Sequence, residues 1–362
     1  MSAATPTLGT PTLETPSLDA WRDLVDLDRL GRWMDQQGLE PGAIEEPARP
    51  PGGTQNLLLK FRRGDRWFML RRPPLHPRHN GSETMRREAR VLAALAPSDV
   101  PHPRLIAACP DEDVLGAAFY LMEPVEGFNP TVGLPALHAG DPAIRRRMGL
   151  ALADGIAALG RVDHVAAGLS DLGRPDGFLE RQVGRWKKQL ASYADYPGWA
   201  GPASIEGVDR VAEWLDAHRP PRFQPGLIHG DYHLANVLYR HDGPELAAIV
   251  DWELTTIGDP LLDLGWLMAT WPEDGRPLDD NLSVTPWTGF PTTAELVRRY
   301  AGQTDRDMDH MAWYGVLACY KLGIILEGTH ARAAAGKADT ATGDRLHAQT
   351  LNLFQRALRW IA

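Results

Sequence analysis

The sequence contains little cysteine and no long apolar run. Its two cysteines, Cys109 and Cys319, are far apart and lack metal-ligand spacing, which favours buried free thiols in a reducing compartment. The longest apolar stretch, residues 317–326, is interrupted by Lys321 and is too short to span a bilayer. No basic region followed by an apolar run opens the chain, so no secretory signal is visible. We therefore expect a cytoplasmic protein with no membrane partner.

The sequence is also short of positive charge. Lysine and arginine number 38 against 47 acidic residues, which gives a net charge of -9. A nucleic acid polymer requires a basic surface, so we expect none as the main partner, although a local basic pocket could still bind a phosphorylated ligand. Hydrophobic content of 43% is typical of a globular protein, and 362 residues can form one large domain or two modest ones.

The composition and the predicted secondary structure change along the chain. Residues 1–17 are rich in threonine, proline and serine, which predicts a disordered tail. Asp19 is then placed to cap a helix with apolar residues at helical spacing. That helix would carry Trp21, Leu24, Leu27 and Leu30.

The segment that follows has strand patterns and one helix. Strands are predicted at 56–61 and 66–72, joined by the turn signal Arg63-Gly64-Asp65, and a further strand at 119–122. A helix is predicted at 82–95. Beyond Gly127 the pattern is helical and only a hairpin of residues 237–239 and 246–251 interrupts it. The predicted helices lie near residues 142–161, 177–193, 208–218, 293–301 and 307–332.

These patterns predict an α+β fold with two lobes. We expect a small, β-rich N-lobe at residues 18–123 and a larger helical C-lobe at residues 124–362. A short connector would join the two lobes, which makes the expected architecture bilobal.

The most informative motif begins at His229-Gly230-Asp231. Asp231 precedes Asn236 by five positions, the spacing of a phosphoryl-transfer catalytic loop, and Asp251 closes a hydrophobic strand. Asp231 would accept a hydrogen bond from a substrate hydroxyl, while Asn236 and Asp251 would hold Mg²⁺ through hard oxygen ligands. The alternative is that Asp231 and Asn236 are turn residues that cap local backbone.

Neighbouring polar residues suit supporting roles. His229 and His233 could serve as bases or metal ligands, but His229 is expected to brace the loop. Asp259 precedes a proline and is placed to cap a helix, and Asp263 could reach back to the catalytic loop.

A carboxylate falls on the apolar stripe of the predicted helix at 82–95. Glu88 lies three residues after Met85 and four before Leu92, and an inward-facing carboxylate is costly unless it is paired. Arg71 on the preceding strand is the expected partner, in the manner of the ion pair that positions a basic side chain on nucleotide phosphates. Arg72, on the opposite face, is the second choice, and a surface charge is the alternative.

Two further segments are candidates for the nucleotide site. Gly52, Gly53, Thr54 and Asn56 precede a strand, where backbone N–H groups of a flexible turn could fold over phosphates, although an ordinary β-turn fits equally well. The connector that includes Glu123 and Val125 would meet the adenine through its backbone.

A series of short motifs occurs between residues 51 and 332. They are Gly52-Gly53-Thr54-Gln55-Asn56, Met69-Leu70-Arg71-Arg72-Pro73-Pro74, Arg87-Glu88, Tyr120-Leu121-Met122-Glu123, Arg185-Trp186-Lys187-Lys188-Gln189, His229-Gly230-Asp231-Tyr232, Asp251-Trp252-Glu253-Leu254 and Gly258-Asp259-Pro260. This series resembles the aminoglycoside phosphotransferase (choline kinase-like) family, in the branch fused to acyl-CoA dehydrogenases in some eukaryotes. The resemblance implies a bilobal, protein kinase-like fold. The sequence departs from typical kinases at Arg71, where lysine is usual, and from the branch at His233 and Ala235, where arginine and aspartate are frequent.

The resemblance implies a kinase of a small hydroxylated metabolite that uses ATP and Mg²⁺. Asp231 would be the catalytic base, Asn236 and Asp251 the metal ligands, and Arg71 with Glu88 the phosphate-binding pair. Relatives in this branch act on hydroxylated acyl-CoA, so a hydroxyacyl-CoA is a candidate acceptor. A basic stripe could meet a CoA phosphate or be a solvated helix face, and four aromatic residues could line the acceptor pocket or belong to the core. The stripe is Arg181, Arg185 and Lys188, and the aromatic residues are Trp186, Trp266, Trp271 and Tyr314.

Two other functions compete with this one. A catalytically silent nucleotide-binding module of the same fold is one, although Asp231, Asn236 and Asp251 are all intact. A metal-dependent phosphoesterase is the other, because Gly230-Asp231-Tyr232-His233 resembles pieces of that class. It would also need a Gly-Asn-His segment, and no Asn-His pair occurs in the chain.

Overall fold

The computed structural model describes residues 20–50, 56–74, 80–273 and 282–362. The predicted tail at 1–17 lies outside the described residues, as do Gly52, Gly53 and Thr54 of the predicted phosphate loop. The described chain forms two compact units. The first comprises the described residues up to Arg86 with Leu105–Pro124, and the second comprises Arg87–Arg104 with Val125–Ala362. The architecture is the α+β, protein kinase-like fold that the sequence predicts, with a small β-rich lobe and a larger helical one.

An antiparallel sheet is the centre of the first unit. Its strands lie in the order β1-β2-β3-β5-β4, so that neighbours in the chain are mostly neighbours in the sheet. The predicted hairpin is confirmed, with Arg63 opposite Arg66 across the turn. The strands are β1 (Ile44–Ala48), β2 (Leu57–Arg63), β3 (Arg66–Arg72), β4 (Leu105–Cys109) and β5 (Phe119–Met122).

Along the β2–β3 hairpin, side chains alternate between the two faces of the sheet, and one face forms the core of this unit. Every second side chain of β2 is buried, and Phe61 stacks on Phe68 of β3 with ring centroids 5.5 Å apart. Helix α1 (Leu27–Gln36) packs its apolar face into the same core, where Trp33 meets the edge of Phe119 at 4.8 Å. Burying side chains of this size stabilises the fold by about 1.5–3 kcal/mol each.

The first described residues differ from the sequence prediction. A 3-10 turn spans Ala20–Asp23, and α1 begins later, at Leu27. Asp26 caps it by accepting a hydrogen bond of 2.9 Å from the backbone N–H of Arg29. The prediction of one continuous helix after Asp19 is therefore wrong. The α-helix begins only after Asp26, which is its N-cap and lies seven residues beyond Asp19.

Helix α2 (Gly81–Leu95) contributes its residues up to Arg86 to the first unit and the rest to the second. Its predicted apolar stripe is confirmed, since Met85, Leu92 and Leu95 are buried. Glu88 is only 1% exposed, as its place on that stripe predicts.

Helices form most of the second unit. The predicted helical segments are confirmed with small shifts of their ends, whereas α10 was not predicted from the sequence. The helices are α3 (Ala136–Gly140), α4 (Pro142–Gly160), α5 (Glu180–Ala191), α6 (Val208–Ala217), α7 (Leu261–Thr270), α8 (Thr293–Ala301), α9 (Met311–Ala334) and α10 (Thr340–Trp360). Among the described residues, none of the helices has the length and apolar character that a membrane crossing requires.

Two antiparallel ribbons lie among these helices. The predicted hairpin is present as β7 (Val237–Tyr239) and β8 (Leu246–Ile249). A second ribbon pairs β6 (Gly226–Ile228) with β9 (Thr256–Gly258), so the prediction of a single hairpin in this lobe is wrong. The ribbons bring the loop of residues 229–236 beside the segment of residues 250–255, which carry the predicted chemistry.

Candidate active site

The loop after β6 is held by a carboxylate of α7. Asp263 Oδ2 accepts a hydrogen bond of 2.7 Å from the backbone N–H of His229, and its Oδ1 accepts one of 2.9 Å from Gly230. Burial raises the pKa of Asp263, although these two N–H groups oppose the rise. The predicted bracing role of Asp263 is confirmed.

His229 is a bracing residue, as predicted. Its ring is fully buried, with Nε2 2.9 Å from the carbonyl oxygen of Val250, while Nδ1 accepts the backbone N–H of Asp231 at 3.3 Å. Nδ1 acts as an acceptor, so the proton resides on Nε2, which donates to Val250. Both ring nitrogens are thereby used in joining the loop to the end of β8.

Gly230 makes the turn that follows possible. Its φ of +88° lies in the left-handed region, and a Cβ added there would lie 2.7 Å from the carbonyl oxygen of Leu254. Both the backbone conformation and the close approach require glycine. The turn aims the next side chain, Asp231, away from the buried ribbon.

Three side chains orient the Asp231 carboxylate. Trp266 Nε1 donates to Oδ1 at 3.0 Å, and the amide nitrogen of Asn236 donates to Oδ2 at 3.1 Å. His233 Nε2 lies 3.3 Å from Oδ1. Because His233 Nδ1 accepts the backbone N–H of Ala235 at 3.2 Å, its Nε2 carries the proton and donates to Asp231 even when the ring is neutral.

The carboxylate of Asp231 is held in its ionised form. Burial alone would raise the pKa of Asp231, but the hydrogen bond and charge of His233, with the nearby charge of Lys321, lower it well below its ordinary value of 3.8. Such a group is a permanent hydrogen-bond acceptor and a weak base. It is suited to orienting a hydroxyl whose proton becomes acidic only as its oxygen forms a new bond.

Asn236 and Asp251 lie at adjacent strand ends. The carbonyl oxygen of Asn236 accepts the backbone N–H of Val250 at 2.9 Å, which sets Asp251 next to the loop. The side-chain nitrogen of Asn236 faces Asp231, so the amide oxygen points to the other side. Carboxylate oxygens of Asp251, Glu253 and Glu88 all lie within 4.8 Å of one another. This set of hard oxygen donors fits a magnesium ion.

Glu88 lies in the part of α2 that belongs to the second unit, and neighbouring arginines bond this part to other segments of the same unit. Arg87 donates to the carbonyl oxygens of Leu172 and Thr255, at 3.2 Å each. Arg90 donates to Asp171 at 2.9 Å. The bond to Thr255 ties the segment that follows Asp251 to α2. Glu253 belongs to the motif Asp251-Trp252-Glu253-Leu254, but no role was predicted for it, although its position two residues after Asp251 was a usable signal.

The remaining predicted nucleotide residues lie apart in the chain and their roles stay predictions. Arg71 is on β3, opposite Leu58 and Tyr120, and its predicted pairing with Glu88 also stays a prediction. Asn56 is half-buried ahead of β2. Glu123 pairs with Arg66 at 2.9 Å, and Val125 is half-buried at the start of the second unit's long segment. The alternative partner, Arg72, donates to the carbonyl oxygen of Leu24.

A cavity of about 280 Å³ opens beside the catalytic loop and is lined by Gly230 and Asp263. Aromatic and aliphatic side chains form most of its wall, namely Phe178, Trp186, Leu254, Trp266, Leu317 and Ile325. Of the four aromatic residues considered from the sequence, Trp186 and Trp266 therefore line the cavity. Trp271 and Tyr314 belong to the core, where Trp271 Nε1 donates to Pro291 at 2.9 Å and the hydroxyl of Tyr314 donates to Asp259.

Lys321, on α9, supplies positive charge to this cavity. Its Nζ lies 4.4 Å from the ring centroid of Trp266 and 5.8 Å from that of Trp186, and it donates to the carbonyl oxygen of Gly230 at 3.4 Å. Burial lowers the pKa of Lys321, and the charges of Asp231 and Asp263 oppose that fall. In the sequence, Lys321 stands out only as a break in an apolar run. The same reasoning that singled out Glu88 could have found it.

The basic stripe of α5 continues from the cavity. A hollow of about 510 Å³ is lined by Arg181, Arg185 and Lys188, and it shares Arg185, Phe178 and Gln182 with the cavity. Arg181 is engaged with the backbone, since it donates to the carbonyl oxygen of Arg174 at 2.7 Å. Arg185 and Lys188 are the residues of the stripe best placed to meet a ligand.

A family model described as the phosphotransferase enzyme family matches residues 48–313. Acyl-CoA dehydrogenase family member 10 of Mus musculus is 29% identical over 297 residues, which is 81% of this chain and 27% of that protein. The chain spans less than half the length of the curated relatives it matches, which include members 10 and 11 of the same family.

Solved structures show the same fold. A crystal structure from Ralstonia eutropha JMP134, provisionally assigned as an aminoglycoside phosphotransferase, is 29% identical with a TM-score of 0.75 and covers 92% of this chain and 98% of its own. A thermostable mutant of aminoglycoside phosphotransferase APH(4)-Ia, in a ternary complex with AMP-PNP and hygromycin B, has a TM-score of 0.57 at 14% identity. That alignment covers 90% of this chain and 97% of the other, and it is a likeness of fold alone.

Proposed function

The chain belongs to the phosphotransferase enzyme family, and from this we propose that it transfers a phosphoryl group from ATP, with Mg²⁺, to a hydroxyl of a small acyl metabolite. A hydroxyacyl-CoA is the candidate acceptor. The observation that carries the proposal is the Asp231 carboxylate, which Trp266, His233 and Asn236 hold in place beside an apolar cavity with a half-buried lysine.

Asp231 would accept a hydrogen bond from the acceptor hydroxyl and direct its oxygen at the γ-phosphorus. The new oxygen–phosphorus bond forms as the bond to the bridging β–γ oxygen breaks, so that ADP leaves. The hydroxyl proton passes to Asp231 as the acceptor oxygen loses electron density, and from there to solvent. Because three donors fix the carboxylate in advance, little reorganisation is needed at the moment of reaction.

Asn236 and Asp251 are the residues proposed to hold Mg²⁺, with Glu88 and Glu253 able to neutralise further positive charge. A bound magnesium ion would supply charge to the nucleotide phosphates. The amide oxygen of Asn236 and the carboxylate of Asp251 are donors of the kind this ion prefers. The AMP-PNP in the APH(4)-Ia complex supports a nucleoside triphosphate as the donor in this fold.

The charge of the cavity argues for an acyl acceptor over an aminoglycoside. Lys321 and Arg185 are cationic, whereas Asp263 is the only carboxylate among the described lining residues and both its oxygens accept backbone N–H groups. A polycationic sugar would be repelled by these cationic side chains, while the ionised carboxylate of Asp231 beside the cavity is already bonded to Trp266, His233 and Asn236. An acyl chain would find apolar walls, and phosphates of a CoA could meet Arg185 and Lys188. The names of the acyl-CoA dehydrogenase relatives support the same class.

The first experiment is thermal unfolding of the wild type and Asp251→Ala with ATP and Mg²⁺. We expect the nucleotide to raise the melting temperature of the wild type and to do so much less in the variant. Release of ADP is then measured with hydroxyacyl-CoA thioesters, the free hydroxy acids and an aminoglycoside. Asp231→Asn is the matched variant, which should bind nucleotide but release no ADP.

Acceptor-dependent ADP release from the thioesters, lost in Asp231→Asn, is the expected result. Release with the aminoglycoside alone would contradict the acceptor class while leaving the kinase assignment. Binding of nucleotide with no ADP release for any acceptor would favour the silent nucleotide-binding module.

A further inference from the structure

A second cluster of ligand-type side chains lies between α9 and α10, away from the catalytic loop. Glu327 and His330 are on α9 and His347 is on α10, and one carboxylate oxygen and one nitrogen from each ring lie within 4.8 Å of one another. Glu327 is fully buried, and its Oε1 accepts the indole N–H of Trp199 at 2.7 Å. Its Oε2 lies 2.7 Å from His347 Nδ1.

The histidine rings leave coordinating capacity unused. His330 and His347 stack with ring centroids 4.4 Å apart, and the buried Nδ1 of His330 has no hydrogen-bond partner among the described residues. Asp344 Oδ1 lies 3.7 Å from that nitrogen and is beyond hydrogen-bonding distance. A buried nitrogen lone pair or N–H without a partner is costly.

The donor set is that of a zinc-type ion. Two imidazoles and a carboxylate suit zinc and its first-row neighbours, whereas magnesium prefers an all-oxygen set. Glu327 and His330 are three residues apart, which places both side chains on one face of α9. His347 approaches that face from α10.

We propose that Glu327, His330 and His347 form a binding site for a divalent transition metal, with Zn²⁺ as the representative ion. Asp344, whose Oδ1 lies 3.7 Å from His330 Nδ1, is positioned to add a fourth ligand. The ion replaces the hydrogen bond between His347 and Glu327. Two ligands of one tetrahedral ion lie about 3.3 Å apart, so these two atoms separate by roughly half an ångström on binding. The bound ion would join α9 to α10.

The test uses the full chain, stripped of metal by a chelator and dialysed into a buffer with excess Mg²⁺. The magnesium occupies oxygen-donor sites such as that of Asp251 but does not compete for imidazole nitrogen. Zn²⁺ is titrated in competition with a chromophoric chelator, and Co²⁺ is titrated while the visible spectrum is recorded. His330→Gln removes one ligand, and His218→Gln, at an exposed histidine directly after α6, is the control.

We expect one equivalent of Zn²⁺ to bind the wild type and His218→Gln alike, and a tetrahedral cobalt spectrum. His330→Gln should bind more than about tenfold more weakly. Absence of zinc binding by the wild type, or equal binding by His330→Gln, would overturn the site and leave a metal-free pair of His347 and Glu327. If His330→Gln does not fold, the site is tested on the wild type alone. Zinc must then protect His330 and His347 from diethylpyrocarbonate, as mapped by peptide mass, and unprotected rings refute the site.

Discussion

Trp266 Nε1 donates a hydrogen bond of 3.0 Å to Asp231 Oδ1, and the same indole forms part of the cavity wall. The face of that ring also carries the ammonium group of Lys321, 4.4 Å from its centroid. One side chain therefore connects the carboxylate proposed to do the chemistry with the surface proposed to hold the acceptor. A ligand that displaces the indole would disturb both.

Replacing Trp266 by phenylalanine should lower turnover and leave nucleotide binding unchanged. The ring remains, but Asp231 loses a hydrogen bond worth about 1.5–3 kcal/mol, which corresponds to a loss of roughly 10- to 100-fold in kcat. The measurement is steady-state kinetics with the acceptor that the screen identifies. Trp186→Phe is the matched control, because the Trp186 N–H has no hydrogen-bond partner among the described residues. Equal losses in the two variants would mean that only ring shape matters.

Replacing Lys321 by methionine should raise KM for an anionic or thioester acceptor by about tenfold, with little change in KM for ATP. The lost interaction is a charge-assisted hydrogen bond or ion pair in a desolvated cavity. Thermal stability should stay the same or rise, because burial lowers the pKa of Lys321 and so marks its charge as costly to the fold. Lys337→Met is the control, since Lys337 is exposed and covers Tyr196 at 5.3 Å. A lower melting temperature without any change in KM would assign Lys321 a structural role.

Replacing Gly230 by alanine should destabilise the protein and reduce kcat more than tenfold. The new Cβ would lie 2.7 Å from Leu254 O, so the loop must shift, and a misplacement of about 1 Å near the chemistry can cost 100-fold. Gly184→Ala in α5 is the control, because a Cβ there meets nothing within 4 Å. That variant should gain about 0.5–1 kcal/mol of stability. Melting temperatures that fall alike in both variants would contradict a specific requirement for glycine at position 230.

The stability contributed by Asp231 should depend on pH in a defined direction. Because the pKa of Asp231 is lower in the folded chain than its ordinary value of 3.8, ionisation favours the fold above that value. The contribution is lost as pH falls below 3.8 towards the folded pKa. The difference in unfolding free energy between the wild type and Asp231→Asn should thus be constant at neutral pH and shrink in acid. Chemical denaturation of both proteins across this pH range measures the difference. A difference that grows in acid would mean that folding raises the pKa of Asp231, which contradicts the prediction.

The local parts of the site could be predicted from the sequence. The strand patterns on both sides of the turn signal Arg63-Gly64-Asp65 predict β2 and β3. The spacing of Asp231, Asn236 and Asp251 predicts that they meet at strand ends. Asp263 could be predicted as a brace because an aspartate in the first turn of a helix can reach the backbone of a nearby loop.

The long-range parts could not be predicted. Lys321 reaches the loop from α9, some 90 residues downstream, and no local pattern states which helices pack beside Asp231. The three-residue strands β6 and β9 are too short for a periodic signal. Helix α10 buries polar residues such as Gln349, Thr350 and Arg356, which obscures its apolar stripe.

The backbone of Asp251 bears on how this site could change over evolution. Its φ of +68° lies in the left-handed region, which asparagine, aspartate and glycine tolerate and branched side chains do not. Most substitutions there would remove a proposed metal ligand and strain the chain in the same step. An inactive descendant that stays folded is therefore confined to asparagine or glycine at this position. Inheritance of the fold therefore narrows the routes by which this carboxylate can be lost, even where selection for catalysis is relaxed.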